Sequence, residues 1–145
     1  MSEFILDTNV LSELWKPNPN PNVAAWVEFA DWYLPAPVIA EMQEGASACK
    51  NPGTREDLTA KIRELMETNT ILDWDGETAR TWGELRHSSK AKTKATKLWD
   101  TLIDAMGVRY GYTIATRNQT DFHHSPMFDP WTFNPEPKGA QKSRE

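Results

Sequence analysis

Asp7, Glu41, Asp100 and Asp121 are four carboxylates whose places along the chain could bring them to a single chemical site. Asp7 closes the short apolar run Glu3-Phe4-Ile5-Leu6, a buried strand by its pattern. Glu41 begins the helix after a second strand, and Asp100 begins the helix that leads to a fourth. Asp121 follows that fourth strand after the turn Arg117-Asn118-Gln119-Thr120. In an open parallel sheet, ligands bind outside the carboxyl ends of the strands, so these acids are expected at one crevice. Carboxylates gathered without cations repel one another, which raises pKa values or destabilises the fold, and a divalent cation relieves that repulsion. Oxygen ligands from remote positions suit Mg²⁺ or Mn²⁺ better than Zn²⁺. His87, His123 and His124 have no zinc-like spacing.

Taken singly, each acid has a structural alternative. Asp7 and Asp100 could each be no more than a helix N-cap, and Asp121 could close an Asx-turn. Glu41 in isolation favours a structural role. Asp104, one turn beyond Asp100 on the same helix face, is by type more often a solvated surface residue. His123-His124 reads as an exposed loop pair, and Cys49, in an Ala/Gly-rich helical stretch, as a packed core thiol. What favours function is convergence of the acids.

The elements that must position them alternate along the chain. Strands are expected over Glu3–Leu6, Trp32–Pro37, Thr70–Trp74 and Tyr112–Thr116, with a further short one at Trp131–Phe133. Helices are expected after Asp7 until Pro17, over Val23–Phe29 with Trp26 inward, and over Val38–Lys50. Another is expected around Leu58, Ile62, Leu65 and Met66, whose i, i+4, i+7, i+8 spacing marks one apolar face. Glu77–Arg86 carries Ala79 and Trp82 inward, and Asp100–Tyr110 stops at Gly111. The prolines of Pro17-Asn18-Pro19-Asn20-Pro21 make that stretch a loop. Strand–helix alternation implies an α/β domain with a mainly parallel sheet of four or five strands between two helical layers. The expected domain spans residues 1–134, followed by a polar, disordered tail over 135–145. Most of the seven tryptophans fall at periodic apolar positions and read as core, Trp15 being the one expected to be exposed.

Composition narrows the function classes. The chain has 145 residues, 39% hydrophobic and 26% charged, ordinary for a soluble globular protein. It has no apolar run long enough for a membrane span, and Met1-Ser2-Glu3-Phe4 does not read as a secretory signal. A single cysteine fits a reducing cytoplasm. The net charge of −5 argues against a protein that coats nucleic acid, though not against an enzyme whose acids face a cation. The stretch from Arg86 to Lys97 holds five cations (Arg86, Lys90, Lys92, Lys94 and Lys97) and no acid, so it could hold phosphates beside Asp100 or simply be solvated. Arg117 is a further candidate phosphate contact.

Ile5-Leu6-Asp7-Thr8-Asn9-Val10-Leu11-Ser12-Glu13 resembles the first motif of PIN-domain proteins. Asp100-Thr101-Leu102-Ile103-Asp104-Ala105, then Thr116-Arg117-Asn118 and Asp121-Phe122, resemble their C-terminal half. Asp129-Pro130-Trp131 after that motif is similar to the VapC and FitB branch, toxins of type II toxin–antitoxin pairs, and Pro37-Val38-Ile39-Ala40-Glu41-Met42 occupies that branch's glutamate motif. The likeness spans roughly residues 3–134. It implies a ribonuclease that binds Mg²⁺ or Mn²⁺, with Asp7, Glu41, Asp100 and Asp121 as the acidic set and Asp7, Asp100 and Asp121 on the metal. Asp121 in this family often holds the metal through water. The resemblance also implies that Asn9 and Thr116 support those acids, that the partner is a cognate antitoxin, and that the chain forms a homodimer. Two features depart from the family. Asp104 stands where relatives usually have a small apolar residue, which suggests an added carboxylate at or behind the site. The stretch Ser88–Lys97 replaces a Gly/Pro-containing connection.

Other classes fit less well. A haloacid-dehalogenase-type phosphatase needs a second aspartate two residues after the first, where this chain has Asn9. A response-regulator receiver needs an acidic pair that Glu3 and Asp7 do not supply. A catalytically inactive PIN-like scaffold would be expected to have lost at least one of the four acids.

Overall fold

In the computed structural model, which describes residues 3–87 and 97–134, the chain alternates strands and helices around a five-stranded sheet. The order of strands is β3-β2-β1-β4-β5, and every pairing is parallel. The strands are β1 (Phe4–Leu6), β2 (Trp32–Pro35), β3 (Ile71–Leu72), β4 (Thr113–Ala115) and β5 (Met127–Phe128). The helices are α1 (Thr8–Leu14), α2 (Pro21–Phe29), α3 (Ala36–Ser47), α4 (Pro52–Thr68), α5 (Gly76–Leu85) and α6 (Leu98–Tyr110). A parallel sheet has to be covered on both faces, which is why its central strands are short apolar runs. Ile5, Leu6, Leu34 and Ile114 are fully buried, together with Val10 of α1, Val38 of α3 and Ile103 and Met106 of α6. Among the described residues no helix is long and apolar enough to cross a membrane.

Local chemistry sets the helix ends. Asn20 accepts from the amides of Asn22 and Val23, and Pro21 at the first helical position then launches α2. Asn51 and Pro52 repeat the device for α4. Asp75 caps α5 through Thr78, and Arg109 of α6 bonds the same carboxylate at 3.0 Å, tying the two helices together. Gly111 ends α6 with φ +73°, a left-handed turn that glycine adopts without strain.

Several sequence expectations shift. The fifth strand is Met127–Phe128; Trp131, expected in it, lies instead in a 3-10 turn at Pro130–Thr132, where Asp129 accepts from the Trp131 amide. Helix α3 begins at Ala36, so Glu41 sits in its second turn rather than at its start. Helix α6 begins at Leu98, so Asp100 lies inside the first turn and does not cap it. Met66 is exposed, leaving Leu58, Ile62 and Leu65 to seat α4. Ala79 is exposed rather than inward, and Cys49 is only half-buried, its thiol donating to the Gly45 carbonyl. The proposed tail over 135–145 lies outside the described residues.

Of the described glycines, Gly107 has the least room, where α6 crosses the chain leading into β5. A Cβ at Gly107 would lie 2.4 Å from Ser125 Oγ and 2.9 Å from Ser125 Cβ. Gly107→Ala is therefore expected to destabilise the fold by about 1–3 kcal/mol, as overpacking does. Chemical denaturation of the two proteins side by side measures this, and equal midpoints would count against that close approach.

Candidate active site

Strand β1 has neighbours on both sides whose connections run in opposite directions, so the chain's topological switch lies at its carboxyl end. Asp7 is the first residue beyond β1, and Thr116 the first beyond the adjacent β4. The register Leu6↔Ala115 places them side by side, and the Asp7 amide donates to the Ala115 carbonyl at 3.0 Å. Thr116 Oγ1 donates to Asp7 Oδ2 at 2.8 Å, and Asn9 Nδ2 reaches both that oxygen and Thr116 Oγ1 at 3.2 Å. Asp7 Oδ1 accepts from the Thr8 amide at 2.8 Å. The N-cap role open to Asp7 is thus real, and it coexists with a carboxylate fixed in one orientation. Thr8 Oγ1 donates to Glu41 Oε1 at 2.6 Å, which joins α3 to the same corner.

Asp7, Thr8, Asn9 and Glu41 line a cleft of about 360 Å³ whose walls also include Asp100 and Asp121, with buried Thr116 behind Asp7. The sequence-derived acidic set is thus brought to one cavity. Desolvation is the largest influence on Asp7 and raises its pKa to about 6, against the lowering effect of its bonds from Thr116 and Thr8. Asp100 is pushed up to about 7, first by burial and then by the negative charges of Asp7, Asp121 and Glu41. The position of Asp100 in the first turn of α6, where the helix dipole favours an anion, is worth about 1 kcal/mol, and up to about 2 kcal/mol when the group is partly buried. That is too little to offset burial beside three other acids.

The donor set fits a hard divalent cation. All four acids offer oxygen, and Asp7 and Asp100 hold protons up to near neutrality, first because burial desolvates them and then because of the negative charge of neighbouring acids, which an ion in the cleft would offset. Among the described residues no three His, Cys, Asp or Glu side chains are grouped closely enough to hold a metal ion as they stand. An open, acid-lined cleft suits Mg²⁺, which keeps several waters and takes few protein ligands, better than an ion that needs a complete protein cage.

Cations line the same cleft. Lys97, Arg117 and Lys16 stand in its walls, with Asn118 and Trp131. Arg117 lies 5.0 Å above the Trp131 ring, a cation–π contact. Lys90, Lys92 and Lys94 lie outside the described residues. Lys16 escaped the sequence reading because it follows α1 without any motif. It is placed by buried Glu13, which accepts from Lys16 Nζ and from the Asn20 amide, each at 2.8 Å. The bond from Lys16 holds the Glu13 carboxyl below its ordinary range. Thr8 was likewise missed, although it sits within the Asp7-Thr8-Asn9 motif.

Asp104 is not in this cleft. It is buried one turn further along α6 and bonds His124 Nδ1 at 2.8 Å, so neither Asp104 nor the histidine pair is the solvated feature expected from residue type. Of the tryptophans, Trp26 is fully in the core, whereas Trp74, Trp82 and Trp99 border an apolar groove with Ala36, Pro37, Ala40, Ala79 and Leu102. That groove shares α3 and α6 with the acidic cleft. Trp15 is half-buried, with the Lys61 ammonium 5.7 Å from its ring centroid.

Comparison with known proteins places these features in context. The family model described as PIN domain matches residues 4–124. A VapC ribonuclease of Sinorhizobium fredii is 30% identical over 136 residues, covering 88% of this chain and 97% of that relative. Toxin FitB of Neisseria gonorrhoeae is also 30% identical over 136 residues, covering 88% and 98%. The crystal structure of FitAcB from Neisseria gonorrhoeae superimposes with a TM-score of 0.76 at 30% identity, over 90% of this chain and 99% of that one.

Proposed function

The chain belongs to the PIN-domain family, and from that premise we propose that it is a Mg²⁺- or Mn²⁺-dependent ribonuclease, the toxin of a toxin–antitoxin pair. The observation that carries this reading is the gathering of Asp7, Glu41, Asp100 and Asp121 around one open cleft, with Asp7 and Asp100 raised first by burial and then by neighbouring negative charge. Asp7, Asp100 and Asp121 would hold the ion, which when bound supplies charge neutralisation at the phosphate and a more acidic water. Thr116 and Asn9 fix the orientation of the Asp7 carboxylate. Thr8 holds Glu41 toward the cleft. Lys16, Lys97 and Arg117 offer the local positive charge that a polyanion needs on approaching a chain of net charge −5. Trp131, beneath Arg117, is a surface on which a base could stack.

The relatives named as a VapC ribonuclease and a toxin support the same reading. A cognate antitoxin is the partner we assign, with the tryptophan-bordered groove beside the cleft as the surface for its apolar segment. The homodimer implied by the family resemblance is carried as part of this proposal.

Cleavage assays on single-stranded RNA, single-stranded DNA and a phosphomonoester, each with Mg²⁺ and with EDTA, separate this reading from its rivals. RNA cleavage lost in EDTA and restored by Mg²⁺ is expected. Turnover of the phosphomonoester alone would favour a phosphatase. Absence of any turnover from antitoxin-free protein would favour a binding scaffold.

A further inference from the structure

Asp104 is a buried carboxylate that the acidic cleft does not use, and its bonds all run to the segment that follows Asp121. Its Oδ2 accepts from the His123 amide at 3.3 Å, the His124 amide at 3.2 Å and His124 Nδ1 at 2.8 Å. Its backbone carbonyl accepts from Ser125 Oγ at 2.9 Å. Ser125 can come this close because Gly107, also on α6, has no Cβ to block it. Four hydrogen bonds thus fasten residues 123–125 to the helix that carries Asp100 one turn earlier.

Asp121 stands between two unlike supports. On its N-terminal side, residues 117–120 are all exposed and are held to the end of β4, Asn118 N donating to Thr116 Oγ1 at 3.0 Å and Gln119 Nε2 to the Thr116 carbonyl at 2.7 Å, while the Asp121 amide makes a 3.3 Å bond to the Asn118 carbonyl. On its C-terminal side, Phe122 is buried in the core and the Asp104 bonds follow at once. The N-terminal bonds refer Asp121 to the end of β4, and the C-terminal ones refer it to α6, the helix that carries Asp100.

The arrangement is a costly way to obtain stability alone. Burying a carboxylate costs several kcal/mol unless its oxygens are well satisfied. Asp104 Oδ1 makes no hydrogen bond among the described residues.

We propose that Asp104, with His124, is a positioning pair for the acidic site, holding Asp121 at its working separation from Asp100 and so setting the grip on the divalent cation. The inference rests on the metal-dependent reading given above. Asp104 acts through Asp121 and does not itself touch the ion.

Calorimetric titration of the folded chain with Mn²⁺ tests this without relying on activity. Asp104→Ala is expected to weaken Mn²⁺ binding by about 10–100-fold, the usual effect of removing a group that orients a ligand. Asp104→Asn, which keeps an acceptor for the two amides, should recover most of that loss. His124→Ala, which removes one bond of the clasp, should fall between them. In an Asp121→Asn background, Asp104→Ala should weaken binding no further, because the ligand it positions is already gone. Wild-type affinity in Asp104→Ala and His124→Ala, whatever their melting temperatures, would overturn the proposal and leave a purely structural clasp. So would additive losses in the double variant. If the wild-type chain binds no Mn²⁺, the metal-dependent reading itself fails, an outcome distinct from both. Should Asp104→Ala not fold, the Asp104→Asn and His124→Ala comparison decides the question on its own.

Discussion

Asp7→Asn is expected to lower RNA cleavage by at least about 100-fold while the protein stays folded, the scale on which charge-stabilising groups at reaction centres act. The fold survives because the substituted amide keeps an oxygen for the Thr8 N–H, so the start of α1 remains capped. Thr116 and Asn9 can each present an acceptor to the new NH₂ group, Thr116 through its hydroxyl oxygen and Asn9 through its carbonyl. The negative charge between β1 and β4 disappears, and with it the ligand proposed for the cation. A single-turnover assay alongside circular dichroism checks both halves of the expectation. Cleavage within a few-fold of wild type would remove Asp7 from the reaction.

The second large effect links pH, metal and stability. Asp7 and Asp100 titrate in the folded chain at about 6 and about 7, both above the ordinary value of 3.8. Between the ordinary and the raised values, the folded state binds more protons than the unfolded one, so stability falls as pH rises. The loss is absent below the ordinary value, develops from about pH 4 to 7, and then levels off. For Asp7, which is 5% exposed, the shift of about two units corresponds to roughly 3 kcal/mol at most. Asp100 adds a smaller, solvent-screened share. Metal-free protein should thus melt at a higher temperature near about pH 5 than near about pH 8, and Mg²⁺ or Mn²⁺ should raise the melting temperature far more at the higher pH. Asp100→Asn should make the metal-free profile less steep, leaving the share of Asp7, and stabilise the chain at neutral pH while abolishing its activity. Thermal scans with EDTA and with Mn²⁺ across that range test the sign directly. A metal-free profile that rises with pH would contradict the electrostatic picture of the cleft.

Much of this site was legible in the residues. Asp7 could be placed because an apolar run long enough for only one strand ends there, and a parallel sheet leaves no other edge for its side chain. Asp100 and Asp121 flank the one late strand with a clear pattern. The boundaries were less legible. Trp131 reads as strand by residue type, but the Asp129 carboxylate captures its amide, a local bond that competes with pairing. Asp104 shows the limit most plainly. Spacing puts it on the Asp100 side of an idealised helix, whereas its partners come from a loop 19 to 21 residues away in sequence, which no periodicity encodes. The tryptophans mislead for a related reason. A 3.6-residue pattern marks an apolar face without saying whether the chain itself covers it, and Trp74, Trp82 and Trp99 border an open apolar groove.

The central claim is that the four acids form one divalent-cation site, and Mn²⁺ titration of wild-type and Asp7→Asn proteins at neutral pH tests it most directly. Saturable binding to the wild-type chain, weakened by at least about tenfold in the variant, is the predicted result. Equal Mn²⁺ affinity in the two proteins would contradict it.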